Sequence, residues 1–189
     1  MKKGSVIIIS APSGCGKSTI ISALMGRGDL DMQFSVSATN RRPREGETHG
    51  VNYFFLETDE FKSLIEQNEF VEWEEVYPGR FYGTLKSEIA RIVDEGHNVI
   101  LDIDVKGGVN VKRLIGERAI SIFIMPPSVE ELRRRLEGRA TDTAEEIARR
   151  VSKAEEEISF APRFDHVVVN DNLASAIDET HDLISNFVD

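Results

Sequence analysis

Apolar residues recur along this chain as short unbroken runs separated by stretches with helical spacing. Residues 6–9 read Val-Ile-Ile-Ile, 99–101 Val-Ile-Leu, 119–125 Ala-Ile-Ser-Ile-Phe-Ile-Met and 167–169 Val-Val-Val. Runs of this length, rich in β-branched residues, predict strands buried on both faces. Helices are predicted over 17–25, over 84–94 (apolar Leu85, Ile89, Ile92 and Val93, closed by Gly96), over 109–115, after Pro126-Pro127, over 143–158 and over 173–187. Ser128 with Glu131, and Thr143 with Glu146, have the spacing of capping boxes. A strand over 98–104 ends in carboxylates. Such alternation predicts an α/β fold with a parallel sheet covered on both faces.

Residues 34–84 interrupt the pattern. Residues 34–39 alternate as one strand, 40–47 form a polar loop, and 53–56 form another strand. Thr58 is placed to cap a helix running to Gln67, and 71–77 alternate until Pro78-Gly79. We read 34–84 as an inserted small subdomain and 128–160, helical and arginine-rich, as a second lobe. The core is then 1–33, 85–127 and 161–189.

The 189 residues, 40% of them hydrophobic, suffice for one compact core with insertions. The net charge of −10 argues against a general nucleic-acid binder, so any polyanion site is a local basic pocket. No stretch is long enough to span a bilayer, and the first residues lack the apolar segment of a signal peptide, so a cytoplasmic protein is expected. Cys15 is the only cysteine, which excludes an intramolecular disulfide.

Behind the first strand stand Ser10, Ala11, Pro12, Ser13, Gly14, Cys15, Gly16, Lys17, Ser18 and Thr19. A strand, a glycine-rich turn and a helix opening with Lys-Ser suit a nucleoside triphosphate. Small residues let several backbone N–H groups point inward, and the helix start adds partial positive charge. Lys17 reaches the outer phosphates, and the Ser18 hydroxyl ligates Mg²⁺. Ala11 stands where the strict motif has Gly, but the GxGKS half is complete.

Asp102, at the end of its strand, is the candidate second Mg²⁺ group. Arg41, Arg42 and Arg44 share one loop, and Arg133, Arg134, Arg135, Arg139, Arg149 and Arg150 cluster late in the chain. Several of the late arginines belong to a solvated helix face, with Arg133 and Arg134 near Glu130 and Glu137. Guanidinium forks nonetheless match phosphate oxygens, so one group suits an acceptor phosphate and the other a closing flap. The four histidines are scattered and show no metal-ligand spacing.

Taken in order, S-A-P-S-G-C-G-K-S-T, F-S-V-S-A-T-N-R-R-P-R-E-G-E, G-V-N-Y-F-F, F-V-E-W, F-Y-G-T, I-L-D-I-D-V-K-G and R-L-E-G-R resemble the guanylate kinase family. The match runs from Val6 to Asn170. The resemblance implies a three-layer P-loop kinase core, a GMP-binding subdomain over 34–84 and a helical lid over 128–160. It implies transfer of the γ-phosphoryl of ATP to GMP, with Mg²⁺. Carried over by motif, Ser37, Glu72, Thr84 and Asp104 line the guanine site, and Arg41, Arg44, Tyr53 and Tyr82 hold the GMP phosphate. Arg135, Arg139 and Arg150 resemble lid arginines, and Asn170 the adenine-side position. Neither nucleic acid nor membrane is an expected partner, and homo-oligomerisation is compatible with all of this.

Guanine chemistry supports the carry-over. Guanine presents N1–H and N2–H₂ as adjacent donors, which one carboxylate at Glu72 can accept together. The hydroxyls of Ser37 and Thr84 can donate to O6. Spacing alone leaves Glu72 equally at home on an outward strand face, like Glu74. Related kinases act on sugar phosphates, and some guanylate-kinase-like domains are peptide scaffolds. The guanine-side residues weigh against the first, and the intact Gly14, Gly16, Lys17 and Ser18 against the second.

Overall fold

The computed structural model describes residues 3–138 and 143–188. Along the chain the strands are β1 (Val6–Ser10), β2 (Met32–Phe34), β3 (Ala38–Thr39), β4 (Phe54–Phe55), β5 (Phe70–Tyr77), β6 (Arg80–Leu85), β7 (Asn98–Asp102), β8 (Ala119–Met125) and β9 (His166–Val169). The helices are α1 (Lys17–Arg27), α2 (Thr58–Glu66), α3 (Lys86–Asp94), α4 (Val105–Ile115), α5 (Val129–Glu137), α6 (Ala144–Ile158) and α7 (Leu173–Val188).

Five strands form a parallel sheet in the order β2-β7-β1-β8-β9. Strand β1 is buried along its whole length, as an unbroken apolar run requires. Its side chains alternate between two cores. Ile7 and Ile9 pack with Ile20, Leu24, Leu132 and Ile184, whereas Val6 and Ile8 pack with Ile89, Ile92 and Val111. The parallel register sets Ile9 opposite Asp102. The loop after β1 and the carboxylate ending β7 therefore meet at one sheet edge, where ligands of open α/β sheets bind.

The inserted region builds a second sheet, β4-β3-β6-β5. Helix α2 seals it through Phe61, stacked 4.4 Å from Phe70 and 5.5 Å from Phe81 between ring centroids. Helix α5 carries Arg133, Arg134 and Arg135, and α6 carries Arg149 and Arg150.

Five local expectations are corrected. Residues 34–39 are not one strand: β2 ends at Phe34 in the core sheet, and β3 begins at Ala38 in the second sheet. Alternation shows a strand but not which sheet it joins. Thr84 and Leu85 end β6 rather than opening a helix, because Thr84 pairs with Glu72 across the hairpin. The strand over 98–104 stops at Asp102, and Asp104 instead caps α4, accepting from the Gly107 N–H at 2.6 Å. Helix α4 thus begins before the Gly107-Gly108 pair, whose low helix propensity hid its first turn. Glu57, not Thr58, holds the N-cap position of α2.

Candidate active site

Gly14 and Gly16 adopt φ of +95° and +84°, the left-handed region that lets the loop curl into α1. Residues 11–19 line a cavity of about 450 Å³ together with Asp102, Ile103, Asp104 and Glu157. Lys17 reaches across it, its Nζ 2.5 Å from Asp102 Oδ1. Ser18 stands exposed at the helix start. Cys15 is buried, and that burial pushes its thiol up to about 12, so it remains protonated and packs as a small apolar group.

A second cavity, of about 200 Å³, is lined by Ser37, Tyr53, Glu72, Glu74, Tyr82 and Asp104, and again by Asp102 and Ile103. The structure thus brings together five of the residues expected around the acceptor, drawn from the second sheet, the segments beside it and the cap of α4. Burial pushes the Glu72 carboxyl above the usual carboxylate range, with Asp104 and Glu74 adding repulsion. Thr84 is buried, and its hydroxyl donates to Glu72 Oε1 at 2.6 Å. It holds the carboxylate; it does not itself line the cavity, as the expected contact with O6 would require. A hydrogen bond to Asp104 raises the pKa of Glu74.

Arg41 and Arg44 line a third, basic cavity of about 550 Å³, with Asn40, Arg42, Thr58 and Arg80. Arg41 also connects to the second cavity. Its guanidinium lies 5.1 Å from the Tyr53 ring centroid. Asn40 locks the base of this loop: its amide bonds Thr58 Oγ1 and the Gly79 carbonyl and accepts from the Phe81 N–H.

Among the described residues, the late arginines do not line the phosphate cavity. Arg134 and Arg135 both pair with Glu131, at 2.7 and 2.8 Å; for Arg134 this partner stands in place of the expected Glu130 or Glu137. Helical geometry favours these partners three and four residues away. Arg150 lies on α6, outside the cavity lining, and Arg139 falls outside the described residues. Asn170 is buried and donates to the Cys15 carbonyl at 2.8 Å. It braces the loop from behind and does not line the phosphate cavity.

Three carboxylates escaped the sequence reading. Glu157, from the end of α6, lines the phosphate cavity, and burial raises its pKa. Glu74 lines the acceptor cavity, although its strand register put it beside Glu72 for anyone to see. Glu47 pairs bidentately with Arg41, both contacts at 2.6 Å, and only the Arg-Glu-Gly-Glu turn hinted at that closeness.

A triphosphate cradle at the edge of a parallel sheet, facing an acid-lined cavity on an inserted sheet, defines the class of P-loop nucleoside monophosphate kinases. The guanylate kinase family model matches residues 3–187. A guanylate kinase of Bacteroides thetaiotaomicron is 55% identical over 98% of this chain and 90% of its own. One of Porphyromonas gingivalis is 52% identical over 97% of each chain. The solved guanylate kinase of Anaplasma phagocytophilum superposes with a TM-score of 0.73 at 32% identity, covering all of this chain and 88% of that one. The chain belongs to the guanylate kinase family.

Proposed function

We infer that this chain transfers the γ-phosphoryl of ATP to GMP, giving ADP and GDP. The observation that carries the reading is a shared wall. The phosphate cradle and the acceptor cavity both include Asp102, Ile103 and Asp104, so donor and acceptor meet there. Proximity of this kind supplies much of the rate of a reaction that needs little covalent help from protein.

Each group has a role. The loop amides and Lys17 hold the β- and γ-phosphates. Glu72, kept in place by Thr84, accepts N1–H and N2–H₂ of guanine, whereas adenine would turn a lone pair toward it. Ser37 donates to O6, and Asp104 completes the wall. Arg41, Arg44, Tyr53 and Tyr82 hold the acceptor phosphate. Arg135, Arg139 and Arg150 approach the phosphates when the lid of 128–160 closes over the core and excludes water. Asn170 supports the cradle near the adenine end.

The donor set suits Mg²⁺. The Ser18 hydroxyl and the Asp102 carboxylate are hard oxygen ligands at the cradle, and the described residues hold no cluster of three His, Cys, Asp or Glu. Phosphate oxygens would supply the remaining ligands. When bound, the ion draws charge off those oxygens. No helix among the described residues is long and apolar enough to cross a membrane. We place the enzyme in the cytoplasm, with ATP and GMP as its partners.

The test is ADP formation with GMP, AMP or ribose 1,5-bisphosphate as acceptor, with and without Mg²⁺. Turnover is expected with GMP and Mg²⁺ far above the other pairs. Equal rates with AMP or the sugar phosphate would overturn the assignment.

A further inference from the structure

Glu47 lies outside both nucleotide cavities, yet it holds the two arginines of the acceptor-phosphate loop. Its Oε2 accepts from Arg41 Nη1 at 2.6 Å and from the Arg44 backbone N–H at 2.7 Å, while Oε1 accepts from Arg41 Nη2 at 2.6 Å. The Glu47 N–H returns a bond to the Arg44 carbonyl at 3.1 Å, closing a turn in which Gly46 takes φ of +84°. The Arg41 side chain is only 8% exposed, and that of Glu47 19%. The pair is therefore not a loose surface contact of the kind that contributes little.

The remaining donors of Arg41 are countable. Nη1 also donates to the Arg42 carbonyl at 2.9 Å, which uses both of its protons. Nη2 has given one proton to Glu47. What is left for an oxyanion is Nε–H and the second Nη2 proton. The ring faces of Tyr53 and Phe55, 5.1 and 5.5 Å away, fix the plane of the guanidinium. Four arginines line this cavity, and without a carboxylate their mutual repulsion would turn Arg41 outward.

We propose that Glu47 is the positioning residue of the acceptor-phosphate site: it aims Arg41 and sets the turn that carries Arg44, so that both meet the phosphate of the monophosphate substrate. The inference rests on the assignment of Arg41 and Arg44 to that phosphate. The opposing effect, repulsion between Glu47 and the phosphate, acts across the Arg41 guanidinium, whose positive charge stands between the two anions and offsets most of it. Losing an oriented, charge-assisted hydrogen bond costs roughly 10–100-fold. Orientation therefore outweighs repulsion.

The test compares GMP with guanosine, which differ only in the phosphate. Affinities are measured by calorimetry on the intact chain, together with steady-state constants, for wild type, Glu47→Ala, Glu47→Gln and Arg41→Ala. Glu47→Ala is expected to weaken GMP about 10-fold or more, to leave guanosine and the KM for ATP within about a factor of two, and so to collapse the GMP-to-guanosine ratio. Glu47→Gln, which keeps the shape and the acceptor for Arg44 N–H, is expected to fall between wild type and Glu47→Ala. An unchanged ratio in both Glu47 variants, with Arg41→Ala lowering it, would overturn the positioning role alone. Equal weakening of GMP and guanosine would also overturn it, by making Glu47 merely structural. A ratio unmoved by Arg41→Ala would overturn the phosphate assignment itself, and this inference with it.

Discussion

Two carboxylates in this site are pulled in opposite directions by their surroundings. Glu47, paired with Arg41 and bonded by the Arg44 N–H, is held down at about 2. Glu72 is pushed up by burial. Only an ionised Glu72 accepts both guanine donors, so kcat/KM for GMP is expected to fall in acid from a pH above the usual 4.5. A pH–rate profile with its acid limb at or below 4.5 would contradict this. Stability follows the same shift. Between 4.5 and the raised value the native state binds more protons than the unfolded chain, so the contribution of Glu72 to stability declines as pH rises through that window. Glu72→Gln keeps an acceptor for Thr84 and removes the buried charge. It is expected to melt no lower than wild type at neutral pH while losing most GMP affinity, read by thermal unfolding and calorimetry. Lys17→Ala, folded but without the cation of the cradle, is expected to lose most phosphoryl transfer in a coupled ADP assay, with near-normal turnover as the contrary result.

Secondary-structure elements hold these side chains by close approach. Gly108 sits where α4 crosses β1, and a Cβ there would meet Ser10 Oγ at 2.7 Å and Phe164 at 3.1 Å. Ser10 Oγ meanwhile donates to the carbonyls of Ile103 and Asp104, tying the two strand ends that form the shared wall. Gly108→Ala is expected to destabilise the fold by about 1–3 kcal/mol, as overpacking does, and chemical denaturation reads it. Thr143 and Glu146 form a complete capping box at the start of α6. Thr143→Ala is expected to cost about 1 kcal/mol locally, visible as faster amide exchange in the first turn of α6. The capping spacing was readable from residues alone because a cap involves four neighbours. The start of α4 was not, because its glycines answer to distant groups, Gly108 to Ser10 of β1 and Gly107 to Glu72 of β5.

The assembled molecule is acidic, with a net charge of −10, yet it concentrates Arg41, Arg42, Arg44 and Arg80 around one cavity. Repulsion by the rest of the surface disfavours nonspecific polyanions, while the local cluster has the charge to suit a small phosphate. The two cavities share one wall, and among the described residues the expected lid arginines Arg135 and Arg150 do not line the phosphate cavity. Closure is therefore expected when both sites fill. Small-angle scattering with GMP and a non-hydrolysable ATP analogue should show a smaller radius of gyration than the free protein, and superimposable curves would argue against it.

Residues adjacent in the chain were enough to reveal the phosphate loop, because its chemistry lies in the backbone of consecutive small residues followed by a helix. They were also enough for the buried strands, whose apolar runs leave few alternatives. Folding decided the rest. Parallel register placed Asp102 beside the loop. Burial gave Glu72 its raised pKa, and a closed turn set Glu47 against Arg41. Each depends on which distant groups share a low-dielectric space, and no spacing along a linear chain contains that.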